Sequence, residues 1–269
     1  MKILFFVLFI TPVWVFAAGP AAPLLPFESD LKDKAGLQRG ASHFMNYCAG
    51  CHSLKYMRYE RIADDLEIPH ELMEKHLIFS DQKIGSLVKN AASAKLQKQW
   101  FGAAPPDLTM ASRSRGGQWL YSYLKGFYLD DTRPYGYNNL VFKDVGMPNV
   151  LAHLQGDQNC RPAFHENGGG YTKRDPISNQ GIENPDAPCG RTAVIDGTGR
   201  LSEAEFDVFI NDLVNFLIYT GEPMKLHEKS FFGFDLNQRQ VIGVYCILFL
   251  AFFGIFAVLL NREYWKDIH

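Results

Sequence analysis

The chain has 269 residues and a formal net charge of -2 at pH 7, with 27 Lys and Arg against 29 Asp and Glu. This length allows one sizeable core or two small ones once non-globular terminal segments are removed. The near-balanced charge, without a basic stripe interleaved with aromatic residues, argues against nucleic acid as a partner.

The N-terminus has the pattern of a secretory signal peptide. Met1 and Lys2 precede an apolar stretch from Ile3 to Phe16, and the small residues that signal peptidase requires follow it. A retained anchor is the alternative, but the stretch is shorter than the roughly 20 residues that span a bilayer. We therefore predict that residues 1–18 are removed and that residues 19–232 form an exported domain.

A CxxCH motif, Cys48 to His52, ends the first predicted helix, in which apolar residues recur at helical spacing from Leu37 onward. Two thiols three positions apart can each add to a vinyl group of haem. The adjacent histidine then lies beneath the iron as a neutral nitrogen ligand. The motif predicts one covalently attached haem c on Cys48 and Cys51, with His52 as an axial ligand.

A CxxC pair can also be a redox dithiol or half of a zinc site. No second CxxC follows in the sequence, and no strand–helix pattern of a thioredoxin-like motif precedes it. Export to an oxidising compartment also suits haem attachment, which is the favoured interpretation. The alternative from another class is an anchored interaction protein whose CxxC holds zinc or a disulfide.

The segment 60–78 is expected to be helical and carries an excess of acidic residues. Two interpretations remain open for it: a solvated face, and a docking surface for a basic partner. The sequence AAPPD at 103–107 then breaks the chain, and a helical pattern resumes from Gln118 to Phe127.

The sixth iron ligand is expected to come from far downstream of the motif. A methionine thioether raises the reduction potential, whereas a second histidine lowers it. Met45 and Met57 are too close in sequence to His52 to reach the opposite haem face easily. Met147 has the most favourable setting, because in a Gly-Met-Pro loop the backbone can aim the sulfur. The alternatives that remain are Met73, Met110, His153 and His165.

Two arginines are candidates for contacts with the haem propionates, which need a cationic partner where they are buried. Arg113 and Arg115 follow a Pro-Pro-Asp-Leu segment at 105–108 and precede a Gly-Gly pair. We expect at least one of them to reach a propionate; exposure to solvent is the alternative.

The segment 156–191 is dense in Gly, Pro, Asn and Asp, a composition that predicts a long irregular loop. A disulfide between Cys160 and Cys189 would tie it and contribute about 2–4 kcal/mol, since disulfides persist outside the cytoplasm. Two free thiols are the alternative. Cys246, by contrast, lies in an apolar run and is expected to act as a small apolar residue.

The C-terminal part predicts two long helices. Ser202 and Glu205 form a capping box ahead of an amphipathic helix that packs onto the core. The residues 241–260 are uncharged and long enough to span a bilayer, within an anchor segment 233–269. Arg262 and Lys266 then suit a cytoplasmic headgroup layer, although basic residues at 225, 229 and 239 weaken that charge asymmetry.

Taken together, these residues resemble the cytochrome c1 family, the haem subunit of ubiquinol:cytochrome c oxidoreductase (bc1) complexes. The resemblance spans nearly the whole mature chain. It is carried by LQRGA at 37–41, CAGCHSL at 48–54, PPDL at 105–108, RSRGG at 113–117, YN at 137–138, MP at 147–148, DLVNFL at 212–217 and EP at 222–223.

The resemblance implies a mostly helical cytochrome c fold with long irregular loops and one C-terminal membrane helix. It implies His52 and Met147 as axial ligands and Arg115 as the propionate partner. It further implies a dimeric complex with cytochrome b, electrons received from the Rieske iron–sulfur protein, and delivery to a soluble or tethered cytochrome c. We expect a single-pass protein of the bacterial inner membrane, with the haem domain in the periplasm and the C-terminus in the cytoplasm.

Two departures from the family pattern stand out. The Arg-Gly-Gly segment is one residue shorter than the common Arg-His-Gly-Gly form, which leaves both Arg113 and Arg115 as candidates. The 156–191 loop with its two cysteines is an elaboration without an assigned role. On its own the chain would be an electron carrier, and an enzyme only as part of the complex; a membrane-tethered cytochrome c serving a terminal oxidase is the second hypothesis.

Overall fold

A computed structural model describes residues 24–164, 172–184, 186, 189–226, 228–231 and 234–266. The predicted signal peptide, residues 1–18, and the alternative ligand His165 lie outside the described residues. The described part is mainly helical, as expected. Its helices are α1 (Lys34–Tyr47), α2 (Tyr59–Asp65), α3 (His70–His76), α4 (Ala94–Phe101), α5 (Ala111–Arg115), α6 (Gly117–Lys125), α7 (Ala152–Gln155), α8 (Glu203–Gly221) and α9 (Gln238–Tyr264), with a 3-10 turn at Pro223–Leu226.

Strands occur as short antiparallel pairs, each with two members. They connect or brace the helices, and none forms a larger sheet among the described residues. The pairs are β1 (Leu54–Arg58) with β2 (Leu87–Val88), β3 (Phe127–Leu129) with β4 (Tyr137–Asn139), β5 (Gln158–Arg161) with β6 (Arg191–Val194), and β7 (Glu228–Phe231) with β8 (Phe234–Asn237).

The centre of the core is the crossing of α1 and α8. A Cβ atom added at Gly40 would lie 2.1 Å from the main-chain oxygen of Asp212, so the two backbones meet where only glycine fits. Beside this crossing, Arg39 Nε donates to Asp212 Oδ2 at 2.6 Å. The Phe44 and Phe216 rings pack at 5.9 Å between centroids. The crossing fixes the direction in which α1 delivers the CxxCH motif.

Both helices of the crossing begin with side-chain caps. Asp33 accepts a hydrogen bond from the Gly36 nitrogen at the start of α1. The Ser202 and Glu205 capping box predicted for α8 is present, with both reciprocal hydrogen bonds formed. These caps satisfy amide groups that the first helical turn leaves unpaired.

The acidic segment 60–78, which the sequence predicts to be helical, contains helical residues in two separate elements. It forms α2 and α3 with a break between them, where Glu67 adopts a left-handed φ of 55° and Pro69 follows. Similarly, the pattern expected from Gln118 to Phe127 ends as a helix at Lys125, and Phe127 begins β3.

The segment 156–191 is more ordered at its base than the sequence indicated. β5 and β6 pair with Cys160 opposite Thr192. A disulfide joins Cys160 to Cys189 beside this ladder. An isolated bridge between Phe164 and Glu183 extends the pairing outward. The Gly- and Pro-rich composition did not indicate this short antiparallel pair, and the disulfide beside it joins two residues that are 29 positions apart in sequence.

The C-terminal helix α9 stands apart from the core. Within the part of the chain that the structure describes, one helical stretch, Gln240–Tyr264, is long and apolar enough to cross a membrane, with mean hydropathy 2.7. None of its most apolar window is buried against the rest of the chain. Such a surface requires an apolar environment, as a lipid bilayer provides.

Candidate functional site

The CxxCH motif forms a tight turn directly after α1. The amide nitrogens of Cys51 and His52 both donate to the Cys48 carbonyl oxygen, at 3.0 and 2.8 Å. Cys48 is buried, with 8% of its surface exposed, and Cys51 is half-buried. Burial, with a smaller contribution from Cys51, raises the pKa of the Cys48 thiol. The turn therefore gathers both sulfurs and the imidazole within one short segment.

His52 has the geometry of an oriented neutral ligand. Its Nδ1 atom lies 2.7 Å from the Pro106 carbonyl oxygen, and only a protonated nitrogen can donate there. Burial lowers the pKa of His52, which is 8% exposed, while the Pro106 and Asp107 contacts oppose that shift. The ring is thus neutral at pH 7, with the lone pair on Nε2. A histidine whose second nitrogen is fixed in this way is the usual arrangement at a metal.

The Pro-Pro-Asp-Leu segment is bound to the strand that follows the motif. The Leu108 amide donates to the Ser53 carbonyl oxygen at 2.9 Å. Asp107 Oδ2 accepts from the Lys55 amide at 2.7 Å. These bonds hold the Pro106 carbonyl in register with His52, which gives the segment a physical role beyond breaking the chain.

Two amide side chains that sequence reasoning missed hold the motif's main chain. Asn90 Nδ2 donates to the carbonyl oxygens of Ala49, at 3.0 Å, and Gly50. Gln97 Nε2 donates to the Cys51 carbonyl oxygen at 2.9 Å, and Gln97 is 6% exposed. A polar side chain buried at that level needs a partner, and the motif supplies it. No motif or periodicity in the sequence distinguishes either residue.

Met147 lies in the loop between β4 and α7 and is half-buried. The Tyr123 hydroxyl on α6 lies 3.4 Å from Met147 Sδ. Burial raises the pKa of Tyr123, so the hydroxyl keeps its proton and can donate at neutral pH. Upstream, Arg133 Nη2 donates to the Asp144 carbonyl oxygen at 2.8 Å and helps to shape the loop.

The other candidate sixth ligands have different settings. Met45, Met57 and Met73 are buried in the hydrophobic core, with Met73 fully covered. Met110 is exposed and occupies the position before α5 without a side-chain capping hydrogen bond. His153 packs its ring 5.7 Å from that of Tyr47, at the end of α1. Core filling thus accounts for three of the methionines without iron ligation.

Arg113 and Arg115 are both exposed and point to different partners. Arg113 Nε lies 3.8 Å from Glu222 Oε1, beyond the end of α8. The Arg115 guanidinium lies 5.1 Å above the Trp119 ring, which stacks on Tyr123 at 4.9 Å. Arg115 is thereby connected through the Trp119 ring to Tyr123, the tyrosine that contacts Met147.

The residues present fit a bound haem. Two thiols and a neutral, oriented imidazole are the groups that covalent attachment and iron ligation require. In addition, Asn149 Nδ2 is buried two positions after Met147 and has no hydrogen-bond partner among the described residues. An unpaired buried donor of this kind suits a carboxylate such as a propionate.

Comparison with known proteins identifies the family. Residues 28–98 match the model of the Cytochrome C1 family. Cytochrome c1 of Allochromatium vinosum is 44% identical over 263 residues, which cover 97% of this chain and 96% of that protein. The chain belongs to the cytochrome c1 family. The resemblance stated from the sequence motifs is therefore confirmed, and with it the assignment to haem-containing electron-transport proteins.

One relative of this cytochrome c1 family member carries a different name. The "Ammonia monooxygenase gamma subunit" of Nitrosomonas europaea is 34% identical over 271 residues, which cover all of this chain and 99% of that protein. Among solved structures, a chain of a "Hyperthermophilic respiratory Complex III" aligns with a TM-score of 0.38 and 14% identity, covering 100% of this chain and 94% of that one.

Proposed function

We propose that this cytochrome c1 family member is the one-electron carrier subunit of a respiratory bc1 complex, with one haem c attached to Cys48 and Cys51. The observation that carries the proposal is the His52 ring, neutral and fixed by the Pro106 carbonyl oxygen at 2.7 Å within a CxxCH turn. This arrangement would leave Nε2 available as a ligand to the haem iron.

Bound haem supplies a reversible one-electron couple that needs no bond making. The polypeptide sets the potential and the docking geometry and excludes water. His52 and Met147 would be the residues that hold the iron, and a thioether ligand favours the reduced state. Arg115, or Arg113, would pair with a propionate. Of the two, Arg115 is favoured because Arg113 already lies beside the Glu222 carboxylate.

The electron path and the assembly belong to the same proposal. Electrons would arrive from the Rieske iron–sulfur protein and leave to a soluble or tethered cytochrome c. Helix α9 would anchor the chain beside cytochrome b in a dimeric complex of the bacterial inner membrane. The haem domain would face the periplasm, and Arg262 and Lys266 would lie at the cytoplasmic surface.

Haem staining after denaturing electrophoresis tests the attachment, because only covalently bound haem survives denaturation. The wild-type chain should stain, and the Cys48→Ser, Cys51→Ser double variant should not. Cys246→Ser is the matched control, since this cysteine lies in α9 away from the motif, and it should stain like the wild type. A wild-type chain without covalent haem would overturn the proposal.

Replacement of the proposed sixth ligand tests the iron site separately. Met147→Ala should open the sixth coordination position and lower the midpoint potential, because the thioether stabilises the reduced iron. Met110→Ala removes an exposed thioether elsewhere and should leave the potential unchanged. An unchanged potential in Met147→Ala would eliminate Met147 as the ligand.

Purification of the full chain in mild detergent tests the assembly. A bc1 subunit should copurify with a b-type cytochrome and an iron–sulfur protein. Recovery of the chain alone, with its haem, would instead support an independent membrane-tethered cytochrome.

A further inference from the structure

Tyr123 is the side chain in contact with the sulfur of Met147. Its hydroxyl oxygen lies 3.4 Å from Sδ, a distance suited to a hydrogen bond to the larger sulfur atom. A thioether has no proton to give, so the hydroxyl is the donor and the sulfur the acceptor. The direction of the bond is therefore fixed by chemistry.

The Tyr123 ring is held on several sides. Trp119 stacks on it at 4.9 Å with an interplanar angle of 8°, and Phe127 contacts it edge-on at 5.2 Å. Its main-chain oxygen accepts a hydrogen bond from Asn139 Nδ2 at 2.8 Å, which ties the end of α6 to β4. The hydroxyl is thus placed by packing before any ligand binds, as a positioning group requires.

We propose that Tyr123 is a positioning residue for the sixth ligand: its hydroxyl donates a hydrogen bond to Met147 Sδ, orients the thioether toward the iron and raises the midpoint potential. The inference rests on the proposed ligation by Met147. A hydrogen bond withdraws electron density from the sulfur, which then stabilises the oxidised iron less than the reduced iron. Hydrogen bonding to a ligand is one of the means by which a protein tunes a redox centre.

The Met147 sulfur can accept the hydrogen bond from Tyr123 and still bind the iron. A thioether sulfur has two lone pairs, so one can accept from Tyr123 while the other faces the metal. With the first lone pair occupied, rotation about the terminal bonds of Met147 is restricted. Without that contact, a half-buried methionine in a loop can sample several rotamers, because its side chain is unbranched with three rotatable bonds.

The test uses the full chain with haem attached, purified in detergent, and compares Tyr123→Phe with the wild type. This variant keeps the ring and removes only the donor, so the midpoint potential should fall in a redox titration. Tyr121→Phe is the matched control, because it removes a hydroxyl two residues away on the same helix, where Tyr121 packs on Phe27. Its potential should equal that of the wild type.

A second variant acts in the opposite direction. Replacement of Tyr123 by 3-fluorotyrosine makes the hydroxyl a stronger donor, so the midpoint potential should rise. Opposite shifts from two substitutions with the same ring are not expected from a packing defect. If both variants kept the wild-type potential, the inference would be overturned; the fluorinated variant alone decides the question if Tyr123→Phe does not fold.

The weak red absorption band of a thioether–ferric bond separates this inference from the proposed function. If Met147→Ala abolishes the band and lowers the potential while both Tyr123 variants leave the potential unchanged, only the role of Tyr123 is overturned. If Met147→Ala changes neither the band nor the potential, the ligation by Met147 fails, and the inference fails with it.

Discussion

His43 shows how a single half-buried side chain beside the core couples folding to pH. It lies on α1 and stacks its ring on Phe209 of α8 at 3.9 Å. Burial lowers its pKa below the ordinary value of 6.5; Asp212 opposes this shift and Arg39 adds to it. The folded chain therefore binds this proton less tightly than the unfolded chain does.

The wild-type chain should consequently lose stability as the pH falls through 6.5 toward the lower folded-state pKa, because the unfolded state then takes up more protons. Above that window, the His43 contribution is constant. His43→Gln should show a smaller decrease of the unfolding temperature between about pH 7.5 and about pH 5.5. Thermal unfolding followed by circular dichroism measures this, and an equal decrease in both proteins would contradict the assignment.

Prediction of site residues from the sequence was possible where chemistry dictates residue type and spacing, and the haem assignment stays a prediction. Two thiols and an imidazole at fixed separation could be recognised as Cys48, Cys51 and His52 without a fold. Asn90 and Gln97 could not, because each acts by donating to main-chain carbonyls that every residue possesses. Their roles follow from tertiary position alone.

At the scale of elements, the α1–α8 crossing depends on the absence of a side chain at Gly40. An added Cβ would lie 2.1 Å from the Asp212 oxygen and 2.8 Å from Phe216 Cβ. Backbone atoms on the partner helix cannot move aside without separating the helices. The crossing therefore has a single tolerated residue at this position.

Gly40→Ala should lower the free energy of unfolding by about 1–3 kcal/mol. A decrease in the free energy of unfolding would be diagnostic of the close helix crossing, because alanine in a helix is otherwise favoured over glycine by about 1 kcal/mol. Gly85→Ala is the control, since the nearest atom to its added Cβ is Glu60 Oε2 at an ordinary 3.9 Å. Denaturant unfolding compares the three proteins; a Gly40→Ala chain as stable as the wild type would show that the helices can separate at no cost.

The disulfide between Cys160 and Cys189 should stabilise the base of the 156–191 segment. Replacing both residues by Ser should lower the free energy of unfolding by about 2–4 kcal/mol, because the unfolded chain gains freedom. It should also increase proteolytic cleavage within the segment. Cys246→Ser serves as the control for loss of a thiol, since it lies in α9. Equal cleavage rates in the double variant and the wild type would contradict a tying role.

Element-scale prediction succeeded where periodicity extends over many residues. The capping box and the apolar face predicted α8, a helix of 19 residues. The composition of the acidic segment 60–78 predicted helix, and α2 and α3 do form there. The composition did not reveal that Glu67, with a left-handed backbone, separates the two helices. The β5–β6 pair could not be predicted from the sequence, because the two strands are far apart in the chain and each has only four residues.

At the scale of the whole molecule, the chain combines a packed core with a helix whose apolar surface remains uncovered. A chain ending at Leu226, before β7, lacks that helix and should be recovered in the soluble fraction. The full chain should require detergent. Both should show the same haem absorption spectrum, since the site residues all precede this point. Loss of the spectrum on truncation would mean that the haem domain depends on its anchor.

The burial of Cys48 has a consequence for the order of events in the haem attachment proposed at this residue. Only 8% of this residue is exposed, and the pKa of its free thiol is raised to about 12, so in the closed domain the sulfur is both shielded and protonated. The vinyl group of the proposed haem would therefore have to react with Cys48 earlier, while the polypeptide is still open. The porphyrin would be fastened first, and the chain would then wrap around a group it already carries.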